Sequence, residues 1–317
     1  MNLKLQNAAP GRGARWVRQG FGVFFKRPVA CSALFAGFLF CLLILMLVPY
    51  VGPLLMLAVL PLGTGGFMIA TQIILNGKLP VATVFAAPLM KDKRRRIEQI
   101  KLGLAYAVLA TGIMLLADVL DGGRFEAMED AVSQGEGNSE AVADLMGDPM
   151  LLFGMLLRLT LTALLSIPFW HAPALIHWGG QGMAQALFSS TVAVWRNRGA
   201  FTVYGLAWGA VVMVFGIIAR VIFEVLGRPE LAGVAALPAG LIFSTAFYTS
   251  LYFSFADCFA PVGRNGGGDA GGGEVDGRPV VEGVNSPSGA GLVSDTPSAP
   301  ELPAPAPSGS PPPPPPA

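Results

Sequence analysis

Charge is what this sequence has least of. Asp, Glu, Lys and Arg make up 13% of its 317 residues, against roughly 25% in a typical soluble domain. Such a chain cannot clothe a soluble surface. The 53% of hydrophobic residues gather into long apolar runs, so an ordinary soluble fold is excluded and a polytopic membrane protein is implied. An excess of one sign is missing too: 21 Lys and Arg against 20 Asp and Glu leave +1. That balance gives no bulk attraction for nucleic acid.

The scarcity extends to reactive side chains. Three cysteines, Cys31, Cys41 and Cys258, imply no disulfide framework. The two histidines, His171 and His177, are six residues apart and do not share a helix face as i, i+4 ligands do. No Cys or carboxylate lies close enough in sequence to complete a zinc site. H-E-x-x-H, G-x-S-x-G, Walker A and C-x-x-C patterns are all missing, so neither an enzyme nor a cofactor is expected.

What is present is a set of apolar runs. Six stretches, about 29–48, 51–75, 100–120, 150–170, 201–223 and 233–255, can each cross roughly 30 Å of hydrocarbon at about 1.5 Å per helical residue. None alternates like a barrel strand, and lipid supplies no partner for free backbone groups, so the spans should be helices. The predicted fold is an all-α bundle of six transmembrane helices over 29–260. No small-x-small cleavage site follows the first run, which is expected to be a retained span.

Basic residues orient the bundle. Lys4, Arg12, Arg15, Arg18, Lys26 and Arg27 precede the first span, and Lys78, Lys91, Lys93, Arg94, Arg95 and Arg96 follow the second. Both clusters belong in the cytoplasm by the positive-inside rule. The segment 121–149 has Arg124 alone among Asp121, Glu126, Glu129, Asp130, Glu136, Glu140, Asp144 and Asp148, and should face outward. An even number of crossings then puts both termini in the cytoplasm.

The segment 1–28 also carries Trp16, Val17, Gly20, Phe21, Phe24 and Phe25 at helical spacing, which predicts a basic amphipathic helix lying in the inner interface. Segment 183–198 repeats the pattern with Met183, Leu187, Phe188, Val194 and Trp195 before Arg196 and Arg198. These helices are expected to favour anionic lipid headgroups. Past 261 the composition turns to Gly, Pro and Ser, ending in Pro311 to Pro316; residues 261–317 are expected to form a disordered tail.

Charges inside spans carry the sharpest functional signal, because an ionisable group at the bilayer centre costs at least a few kcal/mol. Arg158, Asp118 and the i, i+4 pair Arg220 and Glu224 are expected to form a polar cluster in the outer half of the bundle. Pro61 with Gly63, Gly65 and Gly66 marks a candidate break in the second span, as transporter helices have. Small residues four apart, such as Gly103 with Ala107 and Ala246 with Ser250, suit close helix contacts.

Phe169-Trp170-His171-Ala172-Pro173-Ala174-Leu175, then Ala186-Leu187-Phe188-Ser189-Ser190 and Trp195-Arg196-Asn197-Arg198, resemble a family of uncharacterised proteobacterial six-helix membrane proteins over residues 14–260. The resemblance implies a bacterial inner-membrane bundle and no assigned reaction. His171 stands where that family leads one to expect a larger apolar residue. The first expectation for function is a non-enzymatic scaffold or accessory protein. The alternative is a small-solute transporter or channel built on the second helix.

Overall fold

The computed structural model describes residues 3–133, 147–228 and 231–261. The predicted tail, from 262 on, lies outside the described residues, as does 134–146 of the acidic loop. The described helices are α1 (Arg12–Lys26), α2 (Pro28–Met46), α3 (Gly52–Leu75), α4 (Ala87–Met90), α5 (Lys93–Asp121), α6 (Arg124–Ser133), α7 (Pro149–Phe169), α8 (Ala172–His177), α9 (Met183–Arg196), α10 (Arg198–Val225) and α11 (Leu231–Cys258). Six spans among them are long and apolar enough to cross a membrane: α2, α3, α5, α7 running on into α8, α10 and α11. The fold is a helical membrane bundle.

Helix limits follow local chemistry. Asp92 accepts the backbone N–H of Arg95 at 2.8 Å and starts α5, while Gly122, at φ +67°, ends it in the left-handed conformation that glycine adopts without strain. Asp148 does for α7 what Asp92 does for α5, accepting from Met150, with Pro149 in the first turn. Within the bundle α3 packs on α5, α5 on α7, α2 on α3 and α11 on α3.

The first 28 residues depart from expectation. Segment 12–26 is a basic amphipathic helix, but it does not lie free on an interface: α1 is wedged along α10 and α11. Trp16 is fully buried, with Val17, Val23 and Phe24 nearly so. A Cβ on Gly13 would fall 2.1 Å from the Ala200 carbonyl oxygen, and one on Gly20 would fall 2.4 Å from that of Ala246. The periodicity that suits a lipid surface here suits a groove between two helices. Likewise α9 packs on α7 and α8.

A short strand pair, which the all-α expectation did not include, joins the two ends of the described chain. Leu3–Leu5 (β1) runs antiparallel to Phe259–Pro261 (β2), with Lys4 opposite Ala260. Ala8 donates its N–H to Asn197 Oδ1 at 2.6 Å, and Arg95 Nη1 donates to the His177 carbonyl at 2.9 Å. The segments before α1, before α5, around α8 and α9, and after α11 therefore share one face, which is what an even number of crossings requires.

Candidate functional site

The end of the α5 and α7 hairpin that meets α6 holds a buried ion cluster. Arg158, 7% exposed, donates from Nη1 to Asp121 Oδ2 at 2.5 Å and from Nη2 to Asp118. Asp121 is fully buried, whereas Asp118 keeps part of its side chain accessible. Gly154, one turn before Arg158, makes the room: a Cβ there would lie 2.4 Å from Asp121 Oδ2. The Phe125 ring caps the guanidinium, 4.4 Å from Cζ to centroid. Arg124 donates to the Asp121 carbonyl at 2.9 Å and pairs with Asp148. The Asp148 carboxylate is held below its ordinary range by the Met150 N–H and then by Arg124.

The structure brings Asp118 and Arg158 together and leaves Arg220 and Glu224 out. Those two face each other at 4.0 Å, both largely exposed on α10, which packs against α1, α9 and α11. Asp121, absent from the expected cluster, completes it. In sequence it reads as the first acid of an outer loop; its i+3 spacing from Asp118, on one helix face, is the signal that locates it.

The expected break in the second span is not there. Helix α3 continues from Gly52 to Leu75 through Pro61. Its glycines admit neighbours: a Cβ on Gly63 would fall 2.3 Å from the Phe38 ring, on Gly66 2.4 Å from the Phe85 ring, and on Gly65 3.2 Å from Pro173. Pro61 does remove one helical N–H, and it borders a recess of about 150 Å³ shared by Thr64, Tyr106, Ser166, Trp170 and Tyr248.

The opposite, basic face is tied by side chains to backbone. Gln99 Nε2 donates to the Pro173 carbonyl at 2.8 Å, and Glu98 accepts the Met183 N–H at 2.7 Å. Ser254 Oγ donates to the Leu251 carbonyl at 2.8 Å, leaving it to accept from Trp170 Nε1 at 3.3 Å and His171 Nε2 at 3.1 Å. His171 is fully buried with Nδ1 unpartnered, and His177 does not join it. Lys91 lies below its usual pKa, through burial first and the neighbouring Arg95 second.

Beside this face the bundle opens laterally. Helix α7 packs on α5 and α9, and Trp170 at its end bridges to Phe201 and Tyr204 of α10 and Phe247 of α11. Outward from Trp170 lies a cleft of about 770 Å³ between α7, α9 and α10, with Arg198 among its lining.

The chain is similar to a protein of Burkholderia thailandensis named as a probable inner membrane protein. The two are 28% identical over 263 residues, which is 81% of this chain and 94% of that protein. No family model matches the chain, and no solved structure matches it. With its six spans, the chain is a multi-pass inner-membrane protein.

Proposed function

We propose that the protein is a non-enzymatic scaffold or accessory protein of the inner membrane, with both termini in the cytoplasm and a basic cytoplasmic face that takes anionic lipid headgroups. The observation carrying this reading is where its buried polar groups go. Arg158 is held by Asp118 and Asp121, Gln99 by the Pro173 carbonyl, His171 by Ser254, and Asp257 by Arg12 and Trp16. Each such bond ties together parts of the bundle distant in sequence, and the one hydroxyl among them that meets an imidazole, Ser254, is fully buried and donates to the Leu251 carbonyl. The shared face supports the proposed orientation: β1, the start of α5, α8, α9 and β2 lie together, and this face carries Lys91, Arg94, Arg95, Arg96, Arg196 and Arg198, the excess that the positive-inside rule assigns to the cytoplasm.

The test is affinity purification of the full chain from native membrane in mild detergent, with identification of co-purifying proteins and lipids. Recovery of one stoichiometric protein partner supports the scaffold reading. Recovery of the chain alone, with a solute uptake defect in its absence, would favour the second reading, a small-solute transporter. That reading has one observation in its favour, the recess where Thr64, Tyr106 and Tyr248 meet beside Pro61.

A further inference from the structure

We infer that the lateral cleft between α7, α9 and α10 is a binding site for one anionic phospholipid, its acyl chain along the cleft wall and its phosphate at Arg198. The inference rests on the reading of the basic face as an anionic-lipid surface and narrows that reading to one site.

The lining dictates the ligand class. Leu164, Ile167, Val194, Phe201, Gly205 and Trp208 give a hydrocarbon wall. Of the four side-chain hydroxyls that border it, three are engaged by the protein and Thr202 alone is left: Ser166 donates to the Ala163 carbonyl at 2.7 Å, Thr191 to that of Leu187 at 2.9 Å, and Tyr204 lies 2.7 Å from Ser250 Oγ. A sugar or other many-hydroxyl solute would find little to bond. Arg198 is the one charged residue in the lining, and no acid stands among the lining residues.

The charge is placed for a headgroup. Arg198 opens α10 on the basic face, its guanidinium 5.8 Å from the Trp195 ring, and Trp195 is 71% exposed. Tryptophan beside arginine at a helix end is the composition of a membrane interface. Among the described residues no carboxylate pairs with Arg198, so its fork of donors is free for phosphate oxygens. Farther along the wall, Gly205 leaves open space, with nothing within 4 Å of where its Cβ would be. A ligand that is hydrocarbon along its length and anionic at one end fits both halves. Phospholipid is the form of that chemistry in which a six-span chain is immersed.

The experiment uses the full-length chain in detergent, exchanged into phosphatidylglycerol or phosphatidylcholine and examined by native mass spectrometry. Wild type is expected to retain one phosphatidylglycerol and to retain phosphatidylcholine poorly. Gly205→Leu, whose Cβ would meet nothing within 4 Å and whose side chain narrows the cleft, and Arg198→Gln are each expected to weaken retention about tenfold, the equivalent of one lost charge-assisted contact. Arg18→Gln, on the exposed side of α1, is the control and should retain wild-type occupancy. Equal retention by wild type, Gly205→Leu and Arg198→Gln would overturn the site while leaving a general preference for phosphatidylglycerol standing. No preference over phosphatidylcholine in any form would remove the site and the anionic-surface reading together. Retention of free fatty acid in place of phospholipid would also overturn the inference.

Discussion

Asp257, one residue before the end of α11, holds Arg12 and Trp16 of α1 at the same time. Arg12 Nε donates to Oδ2 at 2.7 Å and Nη2 to Oδ1 at 2.5 Å, while the Trp16 indole donates to Oδ2 at 2.5 Å. The pairing spans 245 residues of sequence, and its hydrogen bond is the main cause that raises the Arg12 pKa above the ordinary value. The first helix is thereby part of the bundle.

Asp257→Asn is expected to loosen α1. The pair is partly solvated, with side chains 35% and 18% exposed, so the cost is nearer the surface than the buried limit, about 1–2 kcal/mol. Trypsin cleavage at Arg15 or Arg18 should quicken and the thermal aggregation midpoint should fall. Unchanged proteolysis would mean that the apolar contacts of Trp16 and Phe24 hold the helix unaided.

The spans were legible because hydrocarbon thickness acts on composition and length, both of which lie on the surface of a sequence. Docking of α1 was not, since an aromatic stripe beside arginines has the same period whether it meets lipid or Ala200 and Ala246. Part of the ion cluster was legible as well: Arg158 and Asp118 are intramembrane charges whatever surrounds them. Asp121 was hidden because a span's last residue reads as its loop's first, and Arg220 was misleading because an exposed arginine on a lipid-facing helix can extend toward the headgroups instead of seeking an interior partner. The glycines after Pro61 show the limit of motif reasoning, since a run that can break a helix can also admit Phe38 and Phe85.

Fusion of alkaline phosphatase after residue 135 is expected to give an active enzyme, and after residue 90 an inactive one, from the basic and acidic clusters on either side of α5. The reverse pattern would invert the bundle and place Arg198 in the outer leaflet.

Removal of 262–317 should leave insertion and folding intact, because a stretch of Gly, Pro and Ser with few apolar side chains contributes little packed area. Full-length and truncated chains are compared by thermal aggregation in one detergent. A large fall in midpoint would reveal docking of the tail on the bundle.

Acid should unfasten the start of α7. The Asp148 carboxylate sits below its ordinary value of 3.8, through the Met150 N–H and then Arg124. A depressed carboxylate contributes stability that is present above its unfolded pKa and is lost as pH falls through the folded one. Protease resistance of the α6 and α7 junction should therefore decline below about pH 4 in wild type. In Asp148→Asn it should already be lower at neutral pH and flatter with acid. Parallel profiles for the two proteins would assign the acid sensitivity to another group.

Arg158→Leu is expected to be among the most damaging single changes in the spans. It leaves Asp121, fully buried, and Asp118 close together without their cation, and removing one partner of a buried pair costs about 3–5 kcal/mol. The two acids should not rescue it equally. Asp121 has no access to solvent and is left with neither cation nor water, whereas Asp118, 38% exposed in its side chain, can keep water. Arg158→Leu with Asp121→Asn should recover more stability than Arg158→Leu with Asp118→Asn, and each double mutant should be milder than the sum of its singles. Thermal aggregation in detergent reads both cycles. Strictly additive losses in both would dismiss the cluster as a fastener. Normal stability of the single mutant with a lost growth phenotype would make Arg158 a working charge and shift weight toward the solute pathway.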